Sequence, residues 1–332
     1  MGGANLLAWA SSLESFFEGV FFLPLAAVCV LVSVRLPTMS ASTPNARLFA
    51  GSRIALFGAV VNTFMAVGKI ACGVLGHSYA LIADGVESTL DVFGSLLVWV
   101  GLRFAALPPD ETHPYGHGKA ETLATIAVGA TLLATSVLLA IESVREILTP
   151  HHAPAPFTLV VLLVVVVVKE VLFRKVSERS VEIGSMALES DAWHHRSDAI
   201  TSAAAFVGIS IALVGGEGYE SADDYAALLA CGVIAFNGIR ILGPAINEAM
   251  DTAPPVHIEQ GVRETALAVD GVVGLDKCRV RKMGVEFYVD IHVLVPGDLS
   301  VREGHTIAHE VKDAVRAQMP SVADVLVHIE PV

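Results

Sequence analysis

Residues 187–215, ALESDAWHHRSDAITSAAAFVGISIALVG, have the length and apolar character of a membrane-spanning helix but carry histidines and acids in their first half. A charged side chain at the centre of a spanning helix costs about 2.5–3.5 kcal/mol on insertion scales, so such groups persist where they pair or line a hydrated path. His194 and Asp198 are four residues apart and therefore share one helix face. The stretch predicts a spanning helix with a functional polar face.

The composition of the whole chain agrees with a membrane location. Hydrophobic residues make up 54% of the chain and charged residues 17%, and the mean hydropathy is +0.63. Ordinary soluble domains are about 25% charged. A hydrocarbon core of about 30 Å needs about 20 apolar residues per span. Six segments meet this requirement, at about 54–76, 79–106, 120–147, 156–177, 188–214 and 222–245.

Basic residues predict the orientation, because positively charged flanks stay in the cytoplasm. Arg47 and Arg53 precede the first span, and Arg174, Lys175 and Arg179 follow the fourth. The opposite connections are poorer in basic residues and include the acidic GGEGYESADD. Both ends of the six-span body are therefore expected in the cytoplasm. The net charge of −13 argues against nucleic acid as a partner.

The N-terminal extension, residues 1–52, contains a further apolar run at 16–34. This run is read either as an extra helix or as an artefact of an upstream start codon, since Met39 opens a polar segment that would make a natural start. An uncleaved signal is a third reading, although no small-residue cleavage site is obvious. The six-helix transmembrane domain is expected at 53–250.

Residues 251–332 have a different character, with helical and strand-like periodicities in the order αββαβ. Ser300 and Glu303 have the spacing of a capping box at the start of the second helix. The order predicts an α+β, ferredoxin-like cytoplasmic domain. The fold class is thus a polytopic α-helical membrane protein with a small soluble tail.

The second span carries a pair like that of the fifth, because Glu87 and Asp91 are also four residues apart. Two helices that each offer such a pair place three carboxylates and one imidazole around one point, a donor set that suits a tetrahedral divalent transition metal. A buried salt bridge or an interhelical hydrogen bond is the alternative for either pair alone. Asp84, Asp191 and His195 lie off these faces and are read as access-route groups, outer supports of the ligands or plain interface polarity.

The loop PDETHPYGHGK at 109–119 offers Asp110, His113 and His117. These side chains predict a loop metal site, a proton-buffering patch or an ordinary solvated turn. The tail also carries histidines, and surface histidines on a half-exposed sheet are the alternative to a ligand role there.

The chain resembles the cation diffusion facilitator family of divalent-metal/proton antiporters from about residue 53 to 330. The resemblance rests on SYALIADGVESTLDVFGSLLVWVGLRFA, on PPDETHPYGHGKAETLA and on DAWHHRSDAITS. It implies that Glu87, Asp91, His194 and Asp198 hold the transported ion. Family members usually have Asp or His where this chain has Glu87, which adds one methylene of reach.

The same resemblance implies further sites. It favours metal binding at the loop and an ion pair between Lys119 and Asp251 near the hinge between membrane and tail. It also implies a regulatory, dimer-stabilising metal site in the tail, where Asp276 replaces a frequent His. The matching tail residues are Asp276, His292, His305, His328 and Glu330.

The function implied is proton-coupled efflux of a divalent transition metal by a homodimer that alternates its access, without enzymatic chemistry. Zinc (Zn2+) is the first expectation, with iron, cobalt, cadmium and manganese as alternatives. A bacterial inner-membrane location is expected, with the lipid bilayer, metal ions and protons as partners. A metal-sensing membrane protein remains an alternative, as does an intramembrane metalloenzyme, although the chain lacks the H-E-x-x-H motif of metalloproteases.

Overall fold

The computed structural model describes residues 44–75, 79–148, 156–216, 219 and 222–332. Within these residues six long helices precede the tail, which confirms the predicted helical bundle. The first begins earlier than its hydropathy indicates, at Pro44 instead of near 54, and the extra helix expected at 16–34 lies outside the described residues. The six helices are α1 (Pro44–Leu75), α2 (Tyr79–Ala105), α3 (Lys119–Leu148), α4 (Thr158–Ile183), α5 (Met186–Gly215) and α6 (Ala222–Ala249).

Among the described residues, α1, α3, α5 and α6 contain stretches long and apolar enough to cross a membrane by length and composition alone. The other two helices are of similar length. Within its apolar sequence α4 carries Lys169 and Glu170, and α2 carries three acids between 84 and 91. Two of the α2 acids, Glu87 and Asp91, are predicted metal ligands.

A tight corner between α4 and α5 sets the depth of the polar residues. Gly184 ends α4 with a φ of 77°, a left-handed conformation that suits glycine. The Ser185 hydroxyl then caps α5 by accepting a hydrogen bond from the Leu188 N–H. Lys169 and Asp198 lie at nearly equal sequence distances on either side of this corner. Because both helices rise about 1.5 Å per residue, the two side chains reach the same depth.

The helices of the bundle pack in neighbouring pairs. The main contacts join α1 to α2, α4 to α5, α3 to α6 and α5 to α6. One buried cluster includes Val98, Leu102 and Leu188. Large apolar side chains such as Phe64 and Phe236 face outward instead. Outward-facing apolar side chains on a spanning bundle are expected to contact lipid.

The tail has the predicted αββαβ order. The elements are α7 (Val256–Leu267), β1 (Gly274–Met283), β2 (Glu286–Val295), α8 (Val301–Gln318) and β3 (Val322–Pro331). The central strand, β2, is antiparallel to β1 and parallel to β3. Val289, Ile291 and Val293 alternate into the core of this domain. The capping box of Ser300 and Glu303 is present at the start of α8, as its spacing predicts.

The turn between β1 and β2 contacts the start of α3. Gly284 in this turn has a φ of 64°, and a Cβ added there would lie 3.0 Å from the Gly118 carbonyl oxygen. Glycine is needed at this position both for its conformation and for the close approach. Beside it, Lys282 Nζ lies 2.9 Å from Glu248 Oε2 at the end of α6. The tail is thereby joined to two helices of the bundle.

Candidate metal centre

Three of the four predicted transport ligands meet inside the bundle. Asp91 of α2 and His194 and Asp198 of α5 each offer one ligand atom, and these atoms lie within 4.8 Å of one another. His194 Nε2 lies 3.1 Å from Asp91 Oδ1 and 3.9 Å from Asp198 Oδ2. Ligand atoms around a tetrahedral zinc ion are roughly 3–3.5 Å apart, given bond lengths of about 2.0–2.2 Å. The separations of these three atoms are therefore near those needed to share one ion.

Glu87 lies one helical turn before Asp91 on α2. Its side chain is outside the described residues, as is that of Asp84. The fourth ligand of the transport site therefore remains a prediction from spacing and from the family resemblance.

A lysine that sequence reasoning missed lies in the same site. Lys169 of α4 is 1% exposed, and its Nζ donates to Asp91 Oδ2 at 2.9 Å and to Asp198 Oδ2 at 2.7 Å. Its signal in the sequence is a lysine directly after the apolar run TLVVLLVVVVV, at 158–168. A basic residue inside an otherwise apolar span indicates a buried acidic partner. The prediction of membrane orientation considered only the basic residues that follow Lys169 on this helix, namely Arg174, Lys175 and Arg179.

A second polar cluster lies beside the first. Asp191 Oδ2 lies 3.7 Å from His195 Nε2, and the Ser95 hydroxyl donates to Asp191 Oδ1 at 3.0 Å. All three side chains are buried. Gly58 of α1 lines the space between them, since a Cβ added there would lie 3.3 Å from His195 Nε2 and 3.9 Å from Asp191 Oδ2. Asp191 and His195 thus belong to a separate group next to the predicted transport site, on the face of α5 toward α1.

The loop residues Asp110, His113 and His117 form a compact group between α2 and α3. His113 Nδ1 and His117 Nε2 each lie 3.3 Å from a carboxylate oxygen of Asp110, and the two imidazole centroids are 4.4 Å apart. A hydrogen bond from the Thr112 hydroxyl, with others from the backbone N–H groups of His113 and Thr112, lowers the pKa of Asp110 from 3.8 to about 2. These hydrogen bonds favour the ionised carboxylate, which is the form that binds a cation.

The predicted tail site is assembled only in part within one protomer. His292, His328 and Glu330 gather on one face of the sheet, with His292 Nδ1 2.6 Å from Glu330 Oε1. His292 and His328 are direct neighbours in the parallel pairing of β2 and β3. Asp276 instead lies 3.3 Å from Lys277, and His305 stacks edge-on against His309. These two residues are not part of the group, because β1 and α8 place them elsewhere.

Lys119 and Asp251 contact each other at the boundary between bundle and tail. The Lys119 ammonium donates to Asp251 Oδ1 at 2.7 Å and to the Glu248 carbonyl oxygen at 3.1 Å. Asp251 has a φ of 58°, an uncommon conformation for a non-glycine residue. The interaction joins the start of α3 to the end of α6 next to the tail.

The geometry defines a bundle of long apolar helices with a buried group of side chains that could hold a metal ion, followed by a small α+β tail. Comparison with known proteins agrees with this class. Residues 55–248 match the family description "Cation efflux transmembrane domain", and residues 254–332 match "Cation efflux protein, cytoplasmic domain". The chain belongs to the cation diffusion facilitator family. Members of this family are transporters of divalent metal cations.

Individual relatives cover most of the chain. The Manganese efflux system protein MneP of Bacillus subtilis is 29% identical over 84% of this chain and 95% of its own length. Metal tolerance protein C1 of Arabidopsis thaliana is 32% identical over 85% of this chain and 62% of its own length. Among solved structures, MamM-CTD 215-293 is 25% identical and covers 23% of this chain and 96% of its own, with a TM-score of 0.23.

Proposed function

We propose that this protein exports a divalent transition-metal ion from the cytoplasm through the buried site of Asp91, His194 and Asp198. The observation that carries the proposal is the convergence of these side chains from two helices inside the bundle of a cation efflux protein. Carboxylates and an imidazole at this spacing are ligands for zinc, iron and manganese. Family membership supplies the direction of transport.

Two ions are favoured by different features of the site. Zinc is our first candidate, because His194 supplies an imidazole nitrogen and the spacing of the three ligand atoms is close to that around zinc. Manganese is the second candidate, because the other predicted ligands, Glu87, Asp91 and Asp198, are all carboxylates. The similarity to a protein named for manganese efflux supports the same choice.

The transport cycle we propose exchanges the metal for protons. The ligands must be deprotonated to hold the ion, so protons from the acidic side compete with the metal and return inward when the site reopens. A homodimer joined through the tails would alternate each bundle between inward-facing and outward-facing states. The basic flanks favour a bacterial inner-membrane orientation with both ends of the six-helix body in the cytoplasm.

Uptake by proteoliposomes tests this function. Purified protein is reconstituted, and the uptake of zinc and of manganese is measured separately with and without an imposed pH gradient. We expect uptake of at least one ion above that of protein-free vesicles, and faster uptake when the vesicle interior is acidic. Absence of uptake for zinc, manganese, iron, cobalt and cadmium would refute the transport proposal. Metal uptake whose rate does not change with the imposed pH gradient would refute the proton coupling alone.

A further inference from the structure

The ammonium group of Lys169 stands where the proposed cargo would bind. Its Nζ contacts Oδ2 of Asp91 and Oδ2 of Asp198, one oxygen from each of the two helices that form the site. The lysine itself comes from a third helix, α4, and is 1% exposed. The ammonium is therefore shielded from solvent, and the backbone of α4 fixes its position beside the two aspartates.

The electrostatics explain why a cation is present there. Asp91 and Asp198 are both removed from most solvent, with side chains 12% and 23% exposed. Two carboxylates that share a low-dielectric space repel each other, and each loses hydration. A lysine ammonium is a compact point charge with three hydrogen-bond donors. Two of those donors are used by the two aspartates.

The lysine and a metal ion would compete for the same two carboxylates, Asp91 and Asp198. A metal that binds Asp198 Oδ2 at about 2.0–2.2 Å needs the lone pairs that now accept hydrogen bonds from Lys169. The remaining ligand atom, His194 Nε2, lies 3.9 Å from Asp198 Oδ2, the oxygen that accepts from Lys169, and 3.1 Å from the other oxygen of Asp91, Oδ1. Repulsion between ammonium and metal cation further disfavours joint occupancy.

We propose that Lys169 is an internal, tethered cation that fills the transport site when no metal is bound and must withdraw before the metal can bind. This inference rests on the proposed function. It makes Lys169 a positioning residue that sets the affinity of the site: the lysine weakens metal binding and so helps the ion to leave after the site has opened to the far side.

A purely structural ion pair is the competing explanation, and the two predict opposite effects on affinity. If Lys169 only holds α4 against α2 and α5, its removal should loosen the site and weaken metal binding. If Lys169 competes with the metal, its removal should strengthen binding. A gain of affinity cannot result from partial misfolding, so the sign of the change is decisive.

The experiment measures metal binding by isothermal titration calorimetry on the full-length dimer in detergent. A background variant that replaces His113, His117, His292 and His328 by Ala removes the imidazoles of the loop and tail groups, so that the remaining heat reports the buried site. Asp91→Ala in this background is the reference: it should eliminate that heat. If the reference variant still binds, the proposed transport site is wrong, independently of any role of Lys169.

Lys169→Met keeps an unbranched side chain of similar length but removes the charge. We expect zinc and manganese to bind about tenfold or more tightly to this variant. Lys169→Arg keeps the charge and offers a bidentate donor to carboxylates, so it should bind the metals at least as weakly as the background. The matched control is Arg174→Met on the same helix, since Arg174 is exposed and paired with Glu170; its affinity should not change.

Unchanged or weaker binding by a folded Lys169→Met dimer would overturn the proposal. Should Lys169→Met fail to fold, because two buried carboxylates lose their partner, Lys169→Arg decides the question. Tighter binding by Lys169→Arg would overturn the proposal, and equal or weaker binding would support it. Proteoliposome uptake adds a kinetic readout: at saturating metal, the tighter-binding Met variant should be slower than wild type.

Discussion

The buried group of the bundle and the exposed group of the loop between α2 and α3 use the same chemistry in different surroundings. Each combines carboxylate with imidazole: Asp91, Asp198 and His194 in the bundle, and Asp110 with two histidines in the loop. The bundle carboxylates share the ammonium of Lys169. The loop carboxylate, half exposed, accepts hydrogen bonds from a hydroxyl and from backbone N–H groups.

The difference shows what burial requires of an acidic site. Within the bundle, a carboxylate that lacks water needs an opposite charge, and the protein supplies one that a metal must replace. In the loop, solvent and neutral donors are sufficient, so a metal can bind without displacing an internal cation. The first arrangement suits an ion that binds and leaves in each cycle, whereas the second suits an ion that stays.

The largest difference between the two sites should appear when a carboxylate is removed from each. We predict that Asp91→Ala or Asp198→Ala abolishes metal uptake in proteoliposomes and leaves the dimer folded. The expected loss exceeds ~100-fold, because changes in the groups that only support metal ligands already cost about 10–100-fold. Asp110→Ala, the same change in the loop, should retain measurable uptake. Near-normal metal uptake by either bundle variant would show that the substituted aspartate is not a ligand of the transport site.

Deletion of the tail extends the comparison to the other exposed group. Removal of residues 256–332 should reduce dimerisation and the response to metal, because the histidines on β2 and β3 are lost with it. The truncated bundle should retain metal binding, since Asp91, His194 and Asp198 remain. Size-exclusion chromatography and metal titration of the truncated protein measure the two effects. Complete loss of binding would place the primary site in the tail instead.

A smaller effect is expected when the donor type is changed within the bundle. His194 is the only nitrogen donor among the predicted transport ligands. We expect His194→Asp to shift preference from zinc toward manganese, because an all-oxygen set suits the harder ion. Competitive uptake of the two ions, compared with wild type, measures the shift. An unchanged ratio in an active variant would indicate that His194 does not contact the ion, and His195→Asp would be tested next.

The smallest effect is expected in the loop. Thr112→Val removes the hydroxyl that donates to Asp110 and should raise the pKa of that carboxyl from about 2 toward its usual value. The group would still be ionised near neutral pH, so zinc binding to the loop at pH 7 should change by less than about twofold. Calorimetric titration of zinc into an Asp91→Ala variant, with and without Thr112→Val, measures this change in the affinity of the loop. A large loss would mean that the hydroxyl itself orients the ligands.

The sequence was sufficient for the parts that depend on local periodicity and spacing. Apolar length predicts the helices, and the four-residue spacing of His194 and Asp198 places both on one face. The alternation of Val289, Ile291 and Val293 predicts a strand with one buried side.

Other features depend on which helices become neighbours, and local patterns do not contain this information. Lys169 reaches the site because the turn at Gly184 sets α4 and α5 side by side, with Lys169 at the same depth in the bundle as Asp198. His305 faces His309 on α8 and stays apart from Glu330, although all are histidine or acid residues of one small domain. The Gly58 space beside His195 depends equally on how α1 packs against α5.

Anomalous scattering from crystals of the full-length protein grown with manganese or zinc tests the central claim most directly. We expect one anomalous peak inside the bundle, about 2.0–2.3 Å from carboxylate oxygens of Asp91 and Asp198 and from His194 Nε2, with the Lys169 ammonium moved away from both aspartates. A bundle without such a peak, in crystals whose loop and tail sites are filled and with Lys169 still bound to Asp91 and Asp198, would contradict it.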